Sequence, residues 1–328
     1  MSIINTWSTS TIERQNATFK LKQLYELQAI FLFDQYEPVL ANPAEAAMSF
    51  INRLDRWLSC FSDPIDQWAV FRTFQYFFFV GKDETDELYR CAVNHKLLPW
   101  LVEQEKLDIF SPDLSSQLND VVSQTWPCPV TDSLRINSLL HRTNLKGQSL
   151  RPDWLSLKEL GDKDRIAKYI SNRKNSRGEI TPIKYLVLFE DFVGSGSQCG
   201  RAAKFALEGF DGPILLAPLV VCHPGDKYLR DLASKSNGRL TYDPVVVLSA
   251  ECLVSEQPTI GEPSSFPSLR LAMKNGHTKG NFSDPAFGYE GVGSLASSYS
   301  NCPNNSPPIF HGVTSTWPYP LFPRKGRA

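Results

Sequence analysis

The stretch that most constrains the fold runs from Tyr185 to Gln198, Tyr-Leu-Val-Leu-Phe-Glu-Asp-Phe-Val-Gly-Ser-Gly-Ser-Gln. Its first five residues, Tyr185 to Phe189, are an apolar run of the kind buried on both faces in a parallel sheet. Glu190 and Asp191 follow at once, then the small-residue loop Gly194-Ser195-Gly196-Ser197. From Gln198 to Leu207 an amphipathic pattern predicts a helix that stops at Gly209. Adjacent carboxylates closing a buried strand are costly unless something meets them. A strand, a turn and a helix N-terminus are thus committed to one place.

The order has a specific chemistry. A strand feeding a glycine-rich turn into a helix N-terminus makes an anion site, because backbone N–H groups point outward there and the helix dipole favours negative charge. Gly194 and Gly196 let the backbone close around a phosphate, and Ser195 and Ser197 add hydroxyl donors. Glu190 and Asp191 stand too early in the loop to touch that phosphate without repulsion. They suit neutral hydroxyls, such as a ribose 2′- and 3′-OH, or a metal ion on a diphosphate. Two other phosphate loops are excluded. A Walker A loop ends in Gly-Lys-Ser/Thr, whereas this one ends Gly196-Ser197-Gln198. A dinucleotide fingerprint needs a third small residue where Cys199 stands, and an acid closing the next strand; Asp211 comes before that strand.

These residues resemble the ribose-phosphate signature of type I phosphoribosyltransferases: an apolar strand, Glu-Asp, three variable residues, then Thr/Ser-Gly-x-Thr/Ser. Here it reads Glu190-Asp191, Phe192-Val193-Gly194, Ser195-Gly196-Ser197, with Gln198 as the departure in the last place. The resemblance implies an α/β fold with a parallel sheet flanked by helices. It implies Glu190 and Asp191 in the catalytic role, and Gly194, Ser195, Gly196, Ser197 and Gln198 around a 5′-phosphate.

An earlier stretch, Trp126-Pro-Cys-Pro-Val-Thr-Asp-Ser133, predicts a short strand, Cys128 to Val130, turning through Thr131-Asp132-Ser133 into a helix from Leu134 to about His141. By the same resemblance Thr131, Asp132 and Ser133, with Arg135, are candidates for holding pyrophosphate; a plain helix cap accounts for the residues equally well. Residues 142–182 are rich in Arg and Lys. Within them Arg151-Pro152-Asp153 offers a guanidinium that would clamp a diphosphate, against the alternative of a solvated basic face.

Apolar positions at helical spacing predict helices over 12–35, 44–60, from Asp63 to Gly81, and over 83–108 with a break at Pro99. After the central motif, Pro213 to Cys222 and Pro244 to Ala250 predict strands with a helix, Asp226 to Lys235, between them. That alternation means parallel βαβ units with a site at the strands' C-terminal ends, where His223 would also fall. From about Glu256 the chain turns to Pro, Gly, Ser and Asn, yet carries too many aromatics for disorder. We expect a helical region over 1–120, an α/β core over 121–255 and an irregular segment over 256–328 packed on that core. The family's variable hood over the acceptor makes Asn304, Asn305 and Trp317, with Asn301 and Tyr319, candidates for meeting it.

Lys and Arg number 34 against 35 Asp and Glu, which gives no sign of strong general affinity for nucleic acid. Seven dispersed cysteines, with no Cys-x-x-Cys, suit reduced thiols in a cytoplasmic protein. No apolar run approaches the roughly 20 residues of a membrane helix. Across residues 45–325 the order of pieces resembles bacterial phosphoribosyltransferase-like proteins linked to antiviral conflict systems, some beside retron reverse transcriptases. That implies phosphoribosyl pyrophosphate or a nucleotide as ligand, Mg²⁺ carried by the ligand's diphosphate, and a protein partner from the same defence operon. Two functions stay open on the residues: transfer or cleavage at ribose C1, and a catalytically inactive sensor of the same ligand.

Overall fold

The computed structural model describes residues 2–7, 11–146, 150–160, 163–172 and 180–324. Among the described residues seven strands form: β1 Phe78–Val80, β2 Thr125–Pro129, β3 Tyr185–Val193, β4 Ile214–Cys222, β5 Leu240–Tyr242, β6 Val246–Leu248 and β7 Ala296–Ser298. The chain divides into two compact units, one of Asp86–Val247 and one that joins Met1–Thr85 to Leu248–Ala328.

In the unit Asp86–Val247 the spatial order is β2-β3-β4-β5, and each neighbouring pair is parallel. All nine residues of β4 and the first six of β3 are buried, which is why these strands read as apolar runs rather than alternating ones. Chain order and spatial order coincide, so the crossovers step the same way, and four of their helices fall on one face. There Trp126, Cys128, Leu186, Leu188, Ile214 and Leu216 of the sheet share a core with Trp154, Ile166, Ala202, Phe205 and Leu229. These come from the helices Trp154–Leu160, Lys163–Asn172, Ser197–Gly209 and His223–Ser234.

Elsewhere in this unit Trp100 packs edge-on to Tyr185 at 5.5 Å and donates from Nε1 to Thr241 at 3.1 Å. Trp100 lies on the helix Leu98–Glu105, which continues from a π-turn over Ala92–Leu97. Pro99, expected to break the helix, supplies no N–H and crowds the preceding turn; the widened turn absorbs it without a break.

The edge strand is divided. β5 pairs with Ile214 to Leu216, Pro244 follows, and Asp243 and Val245 go on donating to Leu216 and Pro218. One irregularity sits at the acids. The β3–β4 ladder pairs Glu190 with Pro218 and Phe192 with Val220, but skips Asp191 against Leu219. Leu188 and Val193, an odd number of residues apart, join the same core cluster. The side-chain alternation therefore slips one place where the carboxylates stand.

The other unit is held by aromatic rings. Phe322 packs on Phe50, Phe74, Phe77 and Phe79 at centroid separations of 6.4, 6.2, 4.9 and 5.7 Å. The indoles of Trp57 and Trp317 both donate to the Ile309 carbonyl, at 2.7 and 3.0 Å. β1 pairs in parallel with β7, Phe78 opposite Ala296. The segment expected to pack on the α/β core as a hood thus shares its core with the N-terminal helices. The expected boundaries at 120 and 255 move accordingly, because Phe310, Trp317 and Phe322 each pack on rings that lie before residue 85. Among the described residues no helix is long and apolar enough to cross a membrane.

Candidate functional site

β2 and β3 run side by side and end level, Pro129 opposite Phe189. The next residues of each are therefore brought together. Thr131 donates its backbone N–H to Glu190 Oε2 at 3.0 Å and its hydroxyl to Glu190 Oε1 at 2.7 Å. Ser133 donates its hydroxyl to Asp191 Oδ1 at 2.8 Å, and the two hydroxyl oxygens lie 2.7 Å apart. Asp191 Oδ1 also accepts from the N–H of Phe192 at 2.8 Å. Glu190 is 4% exposed and both its oxygens act as acceptors, so the buried carboxylate is met by donors from the neighbouring strand's turn. Asp191 is half-buried and Asp132 and Ser133 are exposed, so these face outward from the same strand ends.

The helix after β2 starts at Ile136, later than expected, with Arg135 at its cap and no side-chain bond there. Thr131 and Ser133 do not cap it; their hydroxyls are drawn to the acids. Arg151 belongs to a segment held against the free edge of β2. Leu155 N–H donates to the Val130 carbonyl at 3.0 Å, and Trp126 Nε1 donates to the Leu150 carbonyl at 2.7 Å. Burial pushes the Cys128 thiol up; the nearby Trp154 indole and Arg151 charge partly offset this. Arg173, Lys174 and Arg177 of the basic stretch lie outside the described residues.

The turn after β3 works differently. Gly196 has φ +86°, a left-handed conformation that favours glycine, and it leads directly into the helix Ser197–Gly209. Ser195 Oγ lies 3.4 Å from the Ser197 N–H and 3.3 Å from its hydroxyl. The first-turn N–H groups of such a helix have no carbonyl partner within it. Behind the turn stands the start of the helix His223–Ser234. A Cβ on Gly225 would lie 2.5 Å from the Gly194 carbonyl oxygen, and one on Gly196 would lie 3.0 Å from the Tyr228 ring. Gly225 and Tyr228 form the wall that shapes the loop. The sequence signal for them was a glycine in the first turn after a buried strand. Burial first, and then the adjacent Glu190 charge, push the Cys199 thiol up, which makes it a packing residue rather than a nucleophile. His223 is exposed at the end of β4.

The acceptor candidates belong to the other unit. Trp317 is fully buried there, with Phe61 and Phe282 against its ring at 4.8 and 5.7 Å. Its ring is spent in the core, which takes Trp317 out of the candidates for meeting an acceptor. Asn305 is buried and donates to the Tyr289 carbonyl at 3.2 Å; Asn304 is half-buried and its carbonyl accepts from the Tyr289 N–H at 2.8 Å. Among the described residues no group of three or more His, Cys, Asp or Glu side chains gathers to hold a metal. The carboxylates at the strand ends are Glu190, already met by Thr131, with Asp191 and Asp132, so an ion here would have to take most of its ligands from a diphosphate.

A parallel sheet with sequential strands, paired acids ahead of a glycine-serine turn, and a second strand end turned onto those acids define a phosphoribosyltransferase-like α/β protein. The PRTase-CE family model matches residues 54–324, and the chain belongs to that family. Comparison with curated proteins and with solved structures returned no match.

Proposed function

We propose that the protein binds phosphoribosyl pyrophosphate, or a nucleotide of the same ribose-phosphate form, and transfers or cleaves at ribose C1. The observation that carries this is the closing of Glu190 and Asp191 onto the Thr131–Ser133 turn, beside the Gly194–Ser197 loop. The backbone of Gly194 to Ser197, with Gln198, cradles the 5′-phosphate. Asp191, half-buried, accepts from a ribose hydroxyl. Glu190, held beneath by Thr131, places negative charge under the sugar as it becomes oxocarbenium-like. The bond from C1 to the pyrophosphate oxygen breaks, the electron pair leaves with pyrophosphate, and a nucleophile bonds to C1 and gives up its proton. Thr131, Asp132 and Ser133 orient the leaving group, and Arg151 neutralises it. Mg²⁺, carried by the ligand's diphosphate, would neutralise charge on the leaving oxygens. Asn304 remains a candidate for meeting the acceptor.

A sensor without turnover is the second reading. It is favoured by one observation: both Glu190 oxygens are already taken by the chain's own Thr131. Turnover separates the two. With phosphoribosyl pyrophosphate, Mg²⁺ and a panel of bases, nucleotides and water as acceptors, an enzyme releases pyrophosphate. Asp191→Asn with Glu190→Gln abolishes that release while the fold persists; normal turnover by this double variant would overturn the site. Calorimetric binding without product under every acceptor favours the sensor. The family resemblance also supports a role as effector or accessory of a bacterial antiviral system with a partner from its operon. Loss of phage protection in the Asp191→Asn strain tests it.

A further inference from the structure

The helix Ile12–Phe31 precedes the residues matched by the family model, and it is apolar on two sides. One side holds Thr18, Leu21, Tyr25 and Ala29, all buried in its own unit. At 100° per residue the opposite side gathers Ile12, Phe19, Leu27 and Ile30 within an arc of about 80°, with Leu24 and Phe31 flanking it. These six are 77, 63, 55, 68, 36 and 62% exposed, in that order. At roughly 100 Å² each they present about 600 Å² of apolar surface on a single helix. A monomer rarely leaves a patch of this size uncovered.

We propose that this face pairs with the same face of a second copy of the chain, antiparallel, about a two-fold axis. Two observations select that occupant. Two such faces bring about 1,200 Å² together, the lower bound for a specific protein interface. The flank of the stripe is also self-complementary in charge. Lys22 and Glu26, 3.7 Å apart within the helix, lie on the same side of the stripe. An antiparallel two-fold centred near Leu24 sets Glu26 of each copy against Lys22 of the other. The same register drops Phe19 between Leu27 and Ile30 of the second copy. Asn16 and Gln23 fall within the stripe and Lys20 between Leu27 and Phe31 at its flank, and such polar positions fix register at some cost in stability. This interface is independent of the ribose-phosphate reading.

The test is the mass of the full chain in solution by sedimentation over a concentration series. The wild type sediments as a dimer at about 10 μM, a moderate affinity for an interface at this lower bound. Leu27→Glu with Ile30→Glu is monomeric throughout with unchanged unfolding temperature, since both side chains are exposed. Lys22→Glu alone and Glu26→Lys alone each weaken the dimer at least tenfold, and an equimolar mixture of the two restores it as a heterodimer. A wild type that stays monomeric at 100 μM overturns the proposal, and so does a dimer that survives the paired glutamates. Flotation of a monomeric wild type with phosphatidylcholine vesicles overturns it in favour of a lipid surface.

Discussion

The turns that follow β2 and β3 lie at the same end of one sheet, yet they use their residues in opposite ways. After β2 the chain spends side chains: the Thr131 and Ser133 hydroxyls and one backbone N–H go to Glu190 and Asp191. After β3 it spends the absence of side chains: Gly196 and Gly225 let the turn lie flat against the first turns of the next helix, with Tyr228 beside it. One turn fixes the acids, and the other keeps a helix N-terminus open to an anion. A polar side chain in the second turn would fill the cradle. A glycine in the first would take the hydroxyl donor away from a buried carboxylate.

The division predicts that the β3 turn tolerates added atoms least. Gly225→Ala puts a methyl 2.5 Å from a backbone carbonyl oxygen, which no rotamer relieves. We expect a loss of about 3 kcal/mol, read as a lower denaturation midpoint, together with loss of ligand binding. Glu190→Ala comes next. It strips the acceptor from a buried N–H and a buried hydroxyl of Thr131, at about 2 kcal/mol, and Glu190→Gln recovers part of this because one carbonyl oxygen remains. Gly196→Ala asks an alanine to take φ +86° and the Tyr228 ring to yield a few tenths of an ångström. About 1 kcal/mol follows, and Tyr228→Leu in the same background should return some of it. If Glu190→Ala proved harmless while Gly196→Ala unfolded the unit, the first turn would be no latch and the contrast would fail.

The β3 turn was legible in the sequence because its signal is local. An apolar run, two acids, glycines at fixed spacing and an amphipathic helix occupy fourteen consecutive residues, and each follows from backbone sterics or period. The latch was not legible. Thr131 and Glu190 are 59 positions apart, and the residues around Thr131 suit a helix cap just as well. The same holds at larger scale. Trp57 and Ile309 are 252 positions apart, so turn-rich sequence after residue 256 gave no sign that its rings belong among N-terminal helices. β5 escaped notice because three residues before Asp243-Pro244 carry too little pattern to show a strand. Glu190 and Asp191 read as a single pair in the sequence, and that adjacency hid their difference in burial. Successive strand residues point to opposite faces, which turns Glu190 to Thr131 and leaves Asp191 half-exposed.

The smallest change is the most discriminating. Ser133→Ala removes one donor to Asp191 at an exposed position, so stability should move by no more than about 0.5 kcal/mol. Its effect on the ligand depends on which work the hydroxyl does. If Ser133 only steadies Asp191, the Phe192 N–H at 2.8 Å still holds the same oxygen, and affinity for phosphoribosyl pyrophosphate should fall by about threefold, the cost of one exposed hydrogen bond. If Ser133 also meets the diphosphate, inorganic pyrophosphate alone should bind more weakly to the variant, while ribose 5-phosphate, which lacks the diphosphate, binds as before. Calorimetry with those two fragments reads the two turns separately. Ribose 5-phosphate reports on the glycine cradle with Asp191, and pyrophosphate reports on the hydroxyls after β2. Weakening of ribose 5-phosphate and not of pyrophosphate by Ser133→Ala would leave Ser133 with Asp191 alone and remove it from the diphosphate.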